Sequence, residues 1–162
     1  QCFQGATWQR CQTHFSRNML DVCPKKLHPE MKAALKSLYE ASDYETAVLL
    51  KDSILIRFQQ EAPKATALIE ENFEDVIAVL SLPYALRRRL RTTNGIERLN
   101  EEIRRRERVI RIFPNEEALS RLIGALLMEI NDGWQSGKVY LDLTAYLAQI
   151  KAAKPANKKS VA

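Results

Sequence analysis

The sequence predicts a mainly α-helical protein with one short strand near its N-terminus. Hydrophobic residues make up 46% of the 162 residues, enough to build a packed core. Glycine and proline number only 5 and 6, which favours long helices because these two residues interrupt regular structure. Along most of the chain apolar residues recur at spacings of three and four, which is the period of a helix with one buried face.

The strand and the first helix are predicted in the N-terminal segment. Residues 6–11 follow a glycine and are rich in residue types that favour strands. Apolar residues at spacings of four and three then predict a helix over residues 14–22, which Pro24 stops. The buried face of this helix is predicted to comprise Phe15, Met19 and Val22.

Three more helices are predicted before residue 80. They cover residues 29–41, about 43–61 and about 64–78, and Ser42 or Asp43 caps the second of them. No chemical motif lies in these segments, so they are interpreted as a helical packing module. Their buried faces are predicted to comprise Met31, Ala34, Leu35 and Leu38; Ala47, Leu50, Ile54 and Phe58; and Ala65, Leu68, Ile69, Phe73, Val76 and Ile77.

The C-terminal half is also predicted to be helical. Short helical structure is expected over residues 83–90, and longer helices over 94–109 and 116–134. The wide apolar face of the 116–134 helix predicts deep burial. A last amphipathic helix is expected at residues 139–150, followed by a disordered tail at 151–162 that is rich in lysine and alanine.

Charge is distributed unevenly along the chain. The net charge is +5, but residues 29–80 contain ten acidic and five basic residues, whereas residues 87–111 contain ten arginines and four glutamates. The middle segment should therefore repel polyanions, and the arginine-rich segment should attract them. The planar guanidinium suits phosphate contacts, so DNA binding is predicted there, with a solvated surface as the alternative.

Several classes of protein are disfavoured. The chain has no apolar run of the roughly 20 residues needed to span a bilayer, so no membrane partner is expected. Three cysteines, an odd number, do not form a disulfide framework, which fits a reducing cytoplasm. The chain starts with Gln1 and lacks the pattern of a signal peptide, so it is interpreted as a fragment that begins inside a larger protein.

Two short patterns have structural as well as chemical interpretations. Cys11 and His14 could supply half of a zinc site, with Cys23 and His28 as the other half, but the spacing is short for a zinc finger. Cys11 and His14 could also form a nucleophilic pair, but no third group that would orient the histidine is evident. The two tryptophans, Trp8 and Trp134, are predicted in the core and not as platforms for stacked bases.

Glu97 has a purely structural interpretation as well. Residues 94–97 fit a capping box in which Asn94 is the N-cap and Glu97 reaches back to the N-cap amide. Glu97, Glu101, Arg104 and Arg108 follow at steps of four, three and four, so they share one helix face and could form a surface ladder of ion pairs.

Two segments resemble the bacterial insertion-sequence branch of the Mutator superfamily of transposases. The first is Trp8-Gln9-Arg10-Cys11-Gln12-Thr13-His14-Phe15, followed by Arg17-Asn18. The second is Arg91-Thr92-Thr93-Asn94-Gly95-Ile96-Glu97-Arg98-Leu99-Asn100, continuing through Arg104-Arg105-Arg106 to Ile112-Phe113-Pro114-Asn115. The helix ending in Trp134 is similar to the last helix of that family, so the resemblance extends over essentially residues 1 to 135.

The resemblance implies a fold and a division into segments. It implies the C-terminal part of an RNase H-like fold with an all-helical insertion and one short core strand. Residues 1–23 would hold the last strand of that core and the following helix, and residues 24–85 would form the insertion. Residues 86–135 would be the C-terminal core helices, and residues 136–162 a short helix with a basic tail.

The resemblance also implies an active site of two aspartates and one glutamate that binds Mg²⁺. Glu97 would be the third acid and a metal ligand, because two-metal DNA cleavage and joining needs carboxylates that converge from different elements. The two aspartates would lie upstream of Gln1, so tight Mg²⁺ binding and catalysis by this chain alone are not expected. Cys11 and His14 match a Cys-x-x-His pattern of the family whose role stays uncertain.

The predicted function is metal-dependent DNA cleavage and strand transfer during transposition of an insertion element, of which this chain would be an inactive piece. A non-catalytic helical DNA-binding protein, able to inhibit transposition through mixed oligomers with a full-length transposase, is the alternative, and a homo-oligomer is also considered. A plain helical interaction module is a third possibility. The predicted DNA contacts are Arg87, Arg88, Arg89, Arg91, Arg98, Arg104, Arg105 and Arg108.

Overall fold

The computed structural model describes residues 7–137 and 141–153, and all regular structure in these ranges is helical. The mainly α-helical prediction is therefore confirmed. The chain divides into two compact units, Gln1–Thr92 and Thr93–Ala162. The helices are α1 Gln12–Asp21, α2 His28–Tyr39, α3 Tyr44–Phe58, α4 Pro63–Ile77, α5 Tyr84–Leu90, α6 Asn94–Ile110, α7 Glu116–Ser136 and α8 Thr144–Ala153, with 3₁₀ turns at Lys25–Leu27 and Ala78–Ser81.

The strand predicted at residues 6–11 is not formed in its described part, residues 7–11. A strand needs a neighbouring strand to complete its hydrogen-bond ladder, and the backbone here pairs with helical segments instead. The Arg10 N–H donates to the Asp75 carbonyl at 2.9 Å, and the Gln12 N–H donates to the Arg91 carbonyl at 3.0 Å. This segment therefore leads into α1 without regular secondary structure.

Local capping chemistry sets the ends of the helices in the first unit. The Asp43 side chain accepts a hydrogen bond of 2.8 Å from the Thr46 N–H, which makes Asp43 the N-cap of α3. Pro63 opens α4, where its missing N–H would have no helical partner in any case. One of the two predicted caps is thus confirmed, and α3 ends at Phe58, three residues before the predicted end.

One hydrophobic core holds the first unit together. It extends from Phe15 in α1 to Ile77 in α4, and the contacting helix pairs are α1 with α2 and α4, and α3 with α2 and α4. Most of the predicted inward positions are buried, but Val22 is 38% exposed. Helix α1 shares this core with α2–α4, so these four helices pack as one body.

The second unit buries far less than its sequence predicts. No residue of α6 is buried, and Leu126 is the one buried residue of α7. Leu127 is 40% exposed and Trp134 is 49% exposed, so the prediction that the wide face of α7 is deeply buried is wrong for the described residues. Trp8 of the first unit is 75% exposed, so neither tryptophan is a core residue. An apolar pattern shows which face of a helix can be buried, but burial also requires another element that packs against that face.

The α6–α7 connection turns sharply. Arg111, the C-cap of α6, has a φ of 62°, and the Ile112 N–H donates to the Ile110 carbonyl at 2.7 Å. This combination is a γ-turn, a strained geometry for a residue with a side chain. Asn115 then starts α7, because its side chain accepts a hydrogen bond of 2.8 Å from the Ala118 N–H.

The C-terminal helix α8 covers Thr144–Ala153, so residues 151–153 are helical and do not start the predicted tail. The rest of that prediction, residues 154–162, lies outside the described residues. Across the ranges that the structure describes, no helix combines the length and the apolar content that crossing a bilayer requires.

Candidate nucleic-acid interface

The arginine-rich segment is divided between the two units. Arg87, Arg88, Arg89 and Arg91 lie on or directly after α5 in the first unit, where residues 84–92 contain no acidic residue. Helix α6 of the second unit carries five arginines and four glutamates, a net charge of about +1. The densest run of positive residues in the sequence therefore lies at the end of α5.

Arg87 differs from the other predicted DNA contacts because its guanidinium is used inside the first unit. Its Nε donates to the Leu82 carbonyl at 2.8 Å, and its Nη2 donates to the Leu80 carbonyl at 3.0 Å. Its Nη1 donates to the carbonyls of Ser42 at 2.9 Å and Ala41 at 3.4 Å. The side chain thus joins the α2–α3 loop to the α4–α5 connection, a structural role that sequence reasoning missed.

The remaining arginines of this run stand closer to solvent. Arg88 and Arg89 are exposed on α5, and Arg91 is half-buried as the C-cap of that helix. Leu86 is buried and anchors α5 on its other side. The first unit therefore presents a short positively charged surface, formed by Arg88, Arg89 and Arg91.

The first turn of α6 positions Glu97, although not as the capping box predicts. Thr93 is the N-cap, and Asn94 is the first helical residue. The Glu97 N–H donates to the Thr93 carbonyl at 2.9 Å, and the Thr93 hydroxyl donates to Glu97 Oε1 at 2.6 Å. The N-cap is therefore Thr93 and not Asn94, so the prediction is wrong by one position. The Glu97 carboxylate is exposed and accepts the hydrogen bond from the Thr93 hydroxyl.

The predicted charged face of α6 is exposed to solvent. Glu97, Glu101, Arg104 and Arg108 are all exposed. Glu102, which lies outside the predicted set, bonds Arg105 Nη2 at 2.6 Å and Arg106 Nε at 3.2 Å. Their spacings of three and four were visible in the sequence as a signal for helical ion pairs. Arg105, a predicted DNA contact, is thereby partly neutralised.

Hydrogen bonds from Arg105 and Arg106 lower the pKa of Glu102 to about 2. Because the folded-state pKa lies below the ordinary value of 4.5, the pair is intact at neutral pH and is lost as the pH falls from about 4.5 through about 2. In an NMR titration, the Glu102 carboxyl carbon is expected to show a midpoint near the lower value. Arg105→Gln should move that midpoint upward, and an unchanged midpoint would contradict the assigned cause.

The described residues do not assemble a metal site by themselves. No group of three or more His, Cys, Asp or Glu side chains within residues 7–137 and 141–153 comes together to hold an ion. The Cys23 backbone carbonyl lies 3.0 Å from His28 Nε2, and burial raises the pKa of the Cys23 thiol, which disfavours the thiolate that zinc needs. The four-residue zinc site, including Cys11 and His14, is therefore not formed. A single carboxylate such as that of Glu97 would bind Mg²⁺ only weakly by itself, because the ion holds its water ligands tightly.

Comparison with known families gives a match over most of the chain. Residues 1–137 match the family described as "Transposase, Mutator family". No solved structure matches the chain.

Individual relatives agree with the family match. The chain is 39% identical, over 143 residues, to the transposase for insertion sequence element IS256 in transposon Tn4001 of Staphylococcus aureus, a match that covers 86% of this chain and 36% of the relative. It is 40% identical over 136 residues to the IS406 transposase of Burkholderia multivorans, covering 83% and 35%. It is 35% identical over 149 residues to the IS1081 transposase of Mycobacterium tuberculosis, covering 92% and 36%. The chain thus spans about a third of the length of these relatives.

Proposed function

This chain belongs to the Mutator family of transposases, and we propose that it contributes Glu97 and a DNA-binding surface to metal-dependent DNA strand cleavage and transfer. The observation that carries this proposal is the exposed face of α6. Glu97 stands in the first turn, where the Thr93 hydroxyl donates to it at 2.6 Å. Arg104 and Arg108 lie two and three turns further along the same exposed face.

The proposed catalytic centre needs more carboxylates than this surface provides. We propose an RNase H-like arrangement in which Glu97 is the third acid and two aspartates from outside the described residues complete a Mg²⁺ site. The Thr93 hydroxyl orients the Glu97 carboxylate, which is the kind of support that fixes the geometry of a metal ligand. Arg104 and Arg108 would hold backbone phosphates of the DNA near that carboxylate through sequence-independent contacts.

A chimera tests this function directly. Residues 1–137 would replace the matching segment of the Staphylococcus aureus relative, and strand transfer would be measured on a plasmid that carries the ends of its element. The chimera is expected to transfer strands in the presence of Mg²⁺. A chimera that folds and binds DNA yet never transfers a strand would contradict the catalytic proposal.

A non-catalytic DNA-binding role is the second candidate, and the lack of a carboxylate cluster among the described residues favours it for this chain alone. In that role the chain could inhibit transposition by forming mixed oligomers with a full-length transposase. The chimera separates the two candidates, because only the first predicts strand transfer.

Salt dependence tests DNA binding by the chain itself. The log of the affinity for a duplex should fall linearly with the log of the salt concentration, with a slope of about 0.9 for each neutralised phosphate. Arg104→Gln/Arg108→Gln is expected to reduce that slope by about 2. The matched control Arg121→Gln/Lys151→Gln removes two exposed charges from α7 and α8 and should leave the slope unchanged. Binding that does not weaken with salt would argue against phosphate contacts.

A further inference from the structure

A cavity of about 340 Å³ opens in the first unit where three separate segments meet. The start of α1, one face of α2 and the residues that follow α5 surround it. The Gln12 N–H donates to the Arg91 carbonyl at 3.0 Å, which fixes the α5 end against α1. The polar and charged side chains that define this basic pocket are Thr13, Ser16, Lys32, Lys36, Arg91 and Thr92.

The cations of the basic pocket differ from the other cations of the first unit. Lys26 bonds Glu61 at 2.8 Å, and Arg57 bonds Glu30 at 2.6 Å. Within the described part of the first unit, no ion pair engages Lys32, Lys36 or Arg91. Residues 29–80 are acidic overall, yet two of their lysines, Lys32 and Lys36, lie one helical turn apart on α2 and line this cavity. Glu40 is the single acidic residue of the lining, so positive charge prevails.

The neutral part of the lining suits an anion as well. The hydroxyl groups of Ser16 and Tyr39 lie 2.8 Å apart, and both also bond the Gln12 carbonyl, at 2.8 Å from Ser16 and 3.4 Å from Tyr39. Thr13 and Thr92 are the other hydroxyl-bearing residues of the lining. Burial raises the pKa of Tyr39 to about 12, so its phenol stays neutral at physiological pH. Hydroxyls and cations that converge on one cavity are the groups that bind the oxygens of a phosphate.

We propose that the basic pocket binds a backbone phosphate of the DNA, as a second contact separate from the α6 surface. This proposal rests on the proposed DNA-binding function and adds residues that the sequence analysis assigned to a packing module. Arg91 lines the pocket, and Arg88 and Arg89 shortly precede it in the sequence on the exposed part of α5. A polymer with regularly spaced phosphates can contact the pocket and that surface together, whereas a free phosphate contacts only the pocket.

The test compares the parent chain with charge variants in duplex binding across a salt series. Lys32→Gln/Lys36→Gln is expected to reduce the salt slope by about 1, as the loss of one neutralised phosphate requires. The matched control Lys25→Gln/Lys64→Gln removes two exposed lysines of the same unit that lie outside the pocket and should leave the slope unchanged. Lys32→Arg/Lys36→Arg should restore binding, since both charges return.

NMR supplies an independent readout on the full chain. Adding the duplex is expected to shift the amide signals of Thr13, Ser16 and Thr92. The pocket proposal would be overturned if the salt slope of Lys32→Gln/Lys36→Gln equalled that of the control variant. It would also be overturned if inorganic phosphate, but not the duplex, shifted these amide signals. If Arg104→Gln/Arg108→Gln weakens duplex binding and Lys32→Gln/Lys36→Gln does not, the pocket proposal is wrong while the proposed DNA contacts of α6 stand. A parent chain that binds no duplex would overturn both proposals.

Discussion

Glu97→Gln in the chimera is expected to lower the rate of strand transfer by at least about three orders of magnitude. A bound cation contributes several kcal/mol of transition-state stabilisation, and each 1.36 kcal/mol corresponds to about a tenfold change in rate. Glutamine keeps the shape and the oxygen that accepts from the Thr93 hydroxyl, but it loses the negative charge that a metal ligand needs. Folding and duplex affinity should therefore stay close to those of the unmodified chimera.

The matched control is Glu101→Gln, which removes an exposed carboxylate from the same face one turn further along α6. It alters the charge of the helix equally and is expected to leave strand transfer near the parent rate. Two measurements on each variant, Mg²⁺-dependent transfer and duplex affinity, separate chemistry from binding. Equal losses in both variants, or normal transfer by Glu97→Gln, would rule out a metal-ligand role for Glu97.

Arg87→Ala is expected to destabilise the first unit by about 2–4 kcal/mol, since hydrogen bonds to charged groups are worth about 1.5–3 kcal/mol each and are not additive. The substitution removes the donors that serve four backbone carbonyls, among them Leu82 at 2.8 Å and Ser42 at 2.9 Å. These carbonyls lie in connections between helices, where no helical N–H is available to replace the lost donor. Denaturant unfolding followed by circular dichroism would measure the change.

Arg88→Ala is the matched control, because Arg88 is the exposed neighbour on the same short helix. It should alter stability by no more than about 0.5 kcal/mol, as is usual for surface positions, and it should weaken duplex binding. Arg87→Ala is thus expected to lower mainly the stability, and Arg88→Ala mainly the affinity for the duplex. A stable Arg87→Ala with weakened duplex binding would instead restore the DNA contact that the sequence suggested.

Local chemistry made much of the fold predictable. The positions of α2, α3 and α4 follow from apolar spacing, from the Asp43 cap and from Pro63. Their buried residues were predictable because one helix period places them on one face. In the described residues 7–11 the predicted strand is not formed, because a strand needs a partner strand and strand propensity by itself supplies none.

The sequence named the residues of the candidate site but predicted less of their local geometry. The arginine run and Glu97 were recognisable from a motif, and the step pattern placed Glu97 and Arg104 on one face of α6. The interpretation of Asn94 as the cap failed by one residue, which is the ordinary uncertainty of a helix end. The ion pairs of Glu102 with Arg105 and Arg106 lie outside the predicted ladder, and which of several allowed spacings forms an ion pair depends on side-chain geometry.

The sequence alone determined the helical class, the family and the candidate residues, because these depend on residue type and on short-range periodicity. Only the tertiary structure decided which charges face one another. It directed Arg87 to backbone carbonyls and brought Lys32, Lys36 and Arg91 around one cavity. The physical reason is that hydrogen bonds and electrostatic interactions act over a few ångströms in space, so folding brings together residues that lie more than 50 positions apart in the sequence.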